Sequence, residues 1–287
     1  MKLEFIILIY SMINNLVISF IKIVGGIIFG LSSLFADGMH TFSDFITDIV
    51  CIVGAKISKK KPTKNHPFGF GRVEYLANLF VGVILLLLSI FIIASSFSKG
   101  NEIPSLKILW LLLICFIFKL IAIIVMHNVG NKINSQVLVT SVKESKADLY
   151  SSVLVAFVTI LLQFSNKFEI LKLSDLIASI LMGLLVLSTA LEVIVDNSLS
   201  LIGEVDNNPK IINKIKEYLS SIKGIKDYEI NLIMYGSYYK LQLSLELDSK
   251  LSLRKITNLE KKIKKELLRK KELKVKYITI YVTNNLN

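Results

Sequence analysis

Thiol and imidazole groups are both scarce in this chain: 287 residues contain 2 cysteines and 3 histidines. Cys51 and Cys115 both fall in apolar segments, and neither belongs to a spacing that frames disulfides or a zinc ribbon. They read as small core or lipid-facing residues. The histidines are His40, His66 and His127, so everything beyond residue 127 lacks imidazole. No internal repeat or low-complexity tract is present. The first apolar run continues past residue 20 without a convincing small-residue cleavage site, which predicts that it is retained rather than removed as a signal. A His-Glu-x-x-His helix and a nucleophile–base pairing are also missing, which sets aside an intramembrane enzyme. Acidic residues are the minority charge, 22 against 34 basic, for a net charge of +12.

What is present is apolar surface. Hydrophobic residues make up 53% of the chain and the mean hydropathy is +0.61, a value that soluble domains seldom reach. The positive charge is unevenly placed: residues 205–287 hold 18 Lys and Arg against 9 Asp and Glu, a net +9. A basic soluble segment beside a membrane suits the anionic cytoplasmic leaflet. Nucleic acid is the rival partner for such charge, but no base-reading motif accompanies it.

Six apolar segments are long enough to cross roughly 30 Å of hydrocarbon. They run over about 3–29, 33–57, 75–97, 106–127, 137–164 and 173–196. The first, second and fifth carry the polar residues and belong inside a bundle; the others belong outside. The loop after the second segment holds Lys56, Lys59, Lys60, Lys61, Lys64 and Arg72, whereas the opposite side has Lys99, Lys107, Lys167 and Lys172, tempered by Glu102 and Glu169. That asymmetry predicts a cytoplasmic loop and cytoplasmic termini.

Ionisable groups at bilayer depth cost roughly 2.5–3.5 kcal/mol each on insertion scales, and by default mark a functional interior. Here they come in pairs, His40-x-x-x-Asp44 and Glu144-x-x-x-Asp148, each pair on one helix face. Asp44 and Asp148 fall at a similar depth, roughly 16–20 Å from the same side. One imidazole with three carboxylates is a ligand set for a divalent metal ion.

The tail predicts a helix from Asn208-Pro209, strands over 228–234 and 239–247 joined through Gly236, a helix from Ser252 to about Arg269, and a last strand over 275–282. That α-β-β-α-β order suits a ferredoxin-like unit.

Three stretches together give the chain a family resemblance. They are the segment from Gly30 through Asp37, His40 and Asp44; the loop Asn65-His66-Pro-Phe-Gly-Phe70-Gly-Arg72-Val-Glu74; and Lys132-Ile-Asn-Ser-Gln through Lys143-Glu144-Ser-Lys-Ala-Asp148. Over essentially its full length the chain resembles the cation diffusion facilitator family. The resemblance implies a membrane all-α six-helix bundle with a C-terminal cytoplasmic α+β ferredoxin-like domain. A transport domain would occupy residues 1–200 and a dimerisation domain residues 205–287. It implies a homodimeric divalent-cation efflux transporter, not an enzyme, with no resident cofactor, exchanging Zn2+ or Mn2+, and secondarily Fe2+, for protons. It would lie among the lipids of a bacterial-type cell membrane. Zinc is slightly favoured by family frequency.

Residue by residue, the resemblance implies that His40, Asp44, Glu144 and Asp148 hold the transported ion. Glu144 stands where His or Asp is usual. His66 is what remains of a loop metal site, with Phe70 in place of its second histidine, so that site is expected to be absent or weak. Arg72 occupies one half of a family ion pair whose acid position is Gly203 here, beside Glu204; Glu74 is a gate candidate. The tail has Tyr281 where a metal-binding histidine often stands, leaving only carboxylates such as Asp227, Glu246 and Asp248.

Each assignment has a plainer alternative. His40 is then an interhelical hydrogen-bonder, Asp44 and Asp148 are ion-paired with Lys22 or Lys119, and Glu144 is an interfacial charge beside Lys143 and Lys146. Asp37 and Asp48 lie one turn from the pair and read as supporting polar groups. Asn14 and Asn15 either support ligands or bond between helices. A membrane scaffold whose basic tail binds lipid or a partner, and which transports nothing, is the rival function.

Overall fold

The structure, a computed structural model, describes residues 2–58, 60–97, 103–133, 136–236, 238–248 and 251–283. The side chains of residues 2–4, 55, 136, 137, 139, 140 and 144 fall outside that description, as do Lys59, Lys99, Glu102 and the Asn134-Ser135 part of the third family-like stretch.

Six long helices come first: α1 Lys2–Ile28, α2 Ser32–Ser58, α3 Val73–Ser96, α4 Lys107–Ile133, α5 Gln136–Gln163 and α6 Leu173–Ile202. Within the described residues, five helices are apolar and long enough to cross a membrane. The exception is α2, whose 27 residues are ample in length but include Asp37, His40, Asp44 and Asp48. Helices α4 and α6 outrun their expected ends, because hydropathy marks the lipid-soluble part of a helix and not its polar last turns, such as Asn128 to Lys132.

The chain divides into two compact units, residues 1–50 with 80–194 and residues 51–79 with 195–287. In the first, buried side chains from five helices share one core, among them Leu34, Val81, Leu85, Ile92, Ile108, Leu112, Val155, Val158, Met182 and Val186. Small residues permit close approach, as is usual between membrane helices. A Cβ on Gly38 of α2 would lie 2.7 Å from the Ile23 nitrogen of α1, and one on Gly183 of α6 would lie 2.6 Å from Ile93 of α3. The outward surface is apolar: Phe20, Ile28, Leu87 and Trp110 are each more than 60% exposed, which fits lipid rather than water. The chain is an integral membrane protein with a helical domain and a C-terminal domain.

The second unit carries that C-terminal domain: α7 Pro209–Ser220, β1 Ile225–Tyr235, β2 Tyr238–Leu247, α8 Leu253–Arg269 and β3 Val275–Thr283. Asn208 caps α7 by accepting from the Lys210 N–H. Ser252 stands at the cap position of α8 but makes no side-chain cap bond. The sheet order is β1-β2-β3, antiparallel then parallel. The α-β-β-α-β order is the expected one; among the described residues no strand precedes α7 as in a full ferredoxin-like unit, and an isolated Val205–Ile233 bridge meets the outer side of β1. Central strand β2 alternates strictly, burying Tyr239, Leu241, Leu243, Leu245 and Leu247. These pack with Ile215 and Leu219 of α7 and with Ile263 and Leu267 of α8.

Candidate metal centre

Helix α2 begins at a charged cap. Asp175 of α6 accepts the Ser32 and Ser33 N–H groups at 2.8 and 2.7 Å. A carboxylate there satisfies two of the helix's free donors and complements its dipole. Two turns on, His40 and Asp44 share one face of α2. Asp148 reaches the same place from α5. One ligand atom from each of these three residues lies within 4.8 Å of the other two. His40 Nε2 is 3.8 Å from Asp148 Oδ1. The other ring nitrogen, His40 Nδ1, is buried and has no hydrogen-bond partner among the described residues. Two carboxylates and one imidazole suit a divalent cation such as manganese, iron(II) or zinc.

The surroundings are strongly charged. Lys119 of α4 places Nζ 2.5 Å from Asp148 Oδ2 and donates to Asn15 Oδ1 of α1 at 2.6 Å. One turn from His40, Asp37 pairs with Lys22 of α1, with Nζ 2.8 Å from Oδ2. Ser151 donates to Asp37 Oδ1 at 2.6 Å, and Lys22 also donates to Ser152 Oγ at 2.9 Å. Asp37 is thus committed to an ion pair and stands outside the three-residue group, as does the exposed Asp48. Asn15 supports the group through Lys119. Helix α5 brings residue 144 onto the face of Asp148, but the Glu144 side chain lies outside the described residues.

The remaining candidates belong to the second unit. His66 is exposed, bonded to Thr63 and set against Phe70 at 4.5 Å between ring centroids; it joins no metal-binding group among the described residues. The Arg72 guanidinium lies over the Tyr235 ring, 5.0 Å from its centroid. A Cβ on Gly203 would come 3.9 Å from Arg72 Nη2, so an acid there would meet this arginine; with glycine present, the aromatic face takes that place. Glu74 Oε2 is buried without a hydrogen-bond partner among the described residues. The loop after α2 is seated on the β1–β2 hairpin. Tyr238 donates to the Phe68 carbonyl at 2.8 Å, and the Gly236 N–H donates to Tyr75 Oη at 2.9 Å. Burial pushes the Tyr238 phenol up to about 12, with the Tyr277 phenol beside it adding to the effect.

Sequence reasoning named Lys22 and Lys119 only as competitors for the carboxylates and offered Asn15 as a ligand support or interhelical bonder without its partner Lys119; it did not find Asp175 or Ser151. A lone lysine inside Cys115-Phe-Ile-Phe-Lys119 was the available signal for one of them.

Helices that can span a bilayer, with an imidazole and two carboxylates gathered inside them, define a membrane protein equipped to take a cation through its interior. Residues 8–202 match the cation efflux transmembrane domain. The chain is 29% identical over 266 residues to the manganese efflux system protein MneP of Bacillus subtilis, covering 90% of this chain and 89% of that one. It is 31% identical over 271 residues to the uncharacterized transporter MJ0449 of Methanocaldococcus jannaschii, covering 91% and 92%. It is 26% identical over 252 residues to the cadmium, cobalt and zinc/H(+)-K(+) antiporter of Bacillus subtilis, covering 86% and 79%. The chain therefore belongs to the cation diffusion facilitator, or cation efflux, family.

Proposed function

We propose that this protein exports a divalent metal cation in exchange for protons, holding the ion between α2 and α5 at His40, Asp44 and Asp148, with Glu144 as the fourth ligand. The observation that carries the reading is the convergence of those three donors within 4.8 Å inside membrane-length helices. An unpartnered, buried His40 Nδ1 adds to it, because a buried imidazole nitrogen ordinarily finds a partner. Ligands must be deprotonated to bind metal, so ion and protons compete for one set of atoms.

Manganese is placed first, with zinc second and iron(II) third. The donor set is rich in carboxylate, and the similar MneP is a manganese efflux protein. The antiporter of cadmium, cobalt and zinc at 26% identity keeps zinc in view. In this reading residues 1–200 form a six-span transport domain that opens alternately to either side. Residues 205–287 form a cytoplasmic ferredoxin-like dimerisation domain, and both termini face the cytoplasm. The basic tail then sits beside anionic lipid. The test is uptake into proteoliposomes carrying a luminal pH dye. Wild type should accumulate Mn2+ and release protons in step, and Asp44→Ala should do neither. Uptake without proton movement would remove the exchange claim, and equal uptake by Asp44→Ala would remove the site.

A further inference from the structure

We propose that Lys119 is a tethered counter-ion that shares Asp148 with the transported cation and keeps the site's grip weak enough for release. The inference rests on the metal-site reading above. Asp148 has two oxygens with two different duties: Oδ1 faces the cluster, 3.8 Å from His40 Nε2, while Oδ2 is held by the Lys119 ammonium at 2.5 Å. The ammonium is anchored from a third helix by Asn15 Oδ1 at 2.6 Å, and the lysine is only 4% exposed. It is therefore a fixed positive charge and not a snorkelling one.

Two consequences follow for an ion bound at His40, Asp44 and Asp148. The oxygen given to Lys119 is withheld from the ion, so Asp148 coordinates through one oxygen. The ammonium also stands one carboxylate away from the dication and repels it in a low-dielectric interior, where such repulsion is poorly screened. Both effects weaken binding. A transporter needs that, since an ion held too tightly leaves slowly. Lys22 does not play this part, because its partner Asp37 is closed off by Ser151 and Ser152 and lies outside the cluster.

The full chain, purified in lipid nanodiscs, tests this by Mn2+ affinity, with KM and kcat for Mn2+ uptake measured in proteoliposomes. Lys119→Gln and Lys119→Met, two neutral replacements of different shape, should bind Mn2+ about tenfold more tightly or better, consistent with a nearby charge removed from a poorly screened site. Their KM should fall and their kcat should fall with it. Lys119→Arg keeps the charge and should stay within about threefold of wild type. Folded neutral variants that bind Mn2+ no better than wild type would overturn the tether while leaving the transport reading intact. If both neutral variants fail to fold and Lys119→Arg folds, the lysine serves stability alone and the proposal is likewise overturned. Wild type that neither binds nor moves Mn2+ or Zn2+ would overturn the transport reading itself, and this inference with it.

Discussion

Lys22 and Asp37 form an ion pair with Nζ 2.8 Å from Oδ2, and their side chains are 2% and 0% exposed. The pair joins α1 to α2 one turn from His40, and Ser151 and Ser152 of α5 supply further bonds. Breaking such a pair leaves an uncompensated buried charge, which costs about 3–5 kcal/mol, whereas replacing both partners by apolar groups is often neutral. Lys22→Met and Asp37→Leu should each lower the thermal unfolding midpoint strongly, and the double variant should recover most of the loss. Additive losses in the double variant would show that the two side chains act separately.

The same rule separates the two aspartates of the cluster. Among the described residues Asp44 forms no ion pair with a lysine, so Asp44→Asn should abolish metal uptake with little change in stability. Asp148→Asn should abolish uptake and also destabilise the protein, because Lys119 is left buried without its carboxylate. Adding Lys119→Gln to Asp148→Asn should restore the unfolding midpoint and not the uptake. Uptake assays beside thermal melts of the four variants decide this.

How much of this was legible beforehand depended on the kind of signal. Helix existence came from apolar length, and all six long helices lie where hydropathy puts them. The strands of the tail came from alternation and turn glycines, and β2 displays that alternation as buried and half-buried faces. The pairing of α2 with α5 followed from ionisable residues repeating at helical spacing. Partners lying on other helices were not legible, because no local pattern links Asp175 to Ser32 across 143 positions or Lys119 to Asn15 across 104. Arg72 illustrates the same limit: the family resemblance implies a missing acid at Gly203 but does not show the Tyr235 ring over which the guanidinium lies.

Asp175 offers a test of how α2 is aimed. Its carboxylate bonds both Ser32 and Ser33 N–H groups, and loss of a helix cap costs about 0.5–2 kcal/mol. Asp175→Ala should therefore destabilise modestly and reduce Mn2+ affinity, since the helix it fixes carries His40 and Asp44. Unchanged affinity would show that the cap does not set the site's geometry.

The seat between loop and hairpin depends on two glycines. Gly236 has φ 68°, and a Cβ there would meet the Gly71 oxygen at 2.6 Å. A Cβ on Gly71 would collide with the Tyr235 backbone. Gly236→Ala should cost about 1–3 kcal/mol through backbone strain alone and should open the 60–72 loop to protease. An unchanged cleavage pattern would contradict the packing described.

Alkaline titration probes the same region. Burial first, then Asp206, pushes the Tyr239 phenol up to about 12, and Tyr238 rises to a similar value. A phenol whose folded pKa exceeds its ordinary 10.0 contributes stability that is fully present below pH 10 and lost as pH climbs toward about 12. Tyrosinate absorbance of the full chain should show late-ionising phenols, and Tyr238→Phe together with Tyr239→Phe should remove that late phase. A single phase near the ordinary value would contradict the burial.

The claim on which the account turns is that α2 and α5 hold one dication between them. Equilibrium dialysis of the purified chain against Mn2+ and Zn2+, with metal counted directly, tests it most plainly. The account predicts a saturable site binding one ion per chain in wild type, lost in Asp44→Ala. Saturable binding that survives Asp44→Ala unchanged, or no binding by wild type, would contradict it.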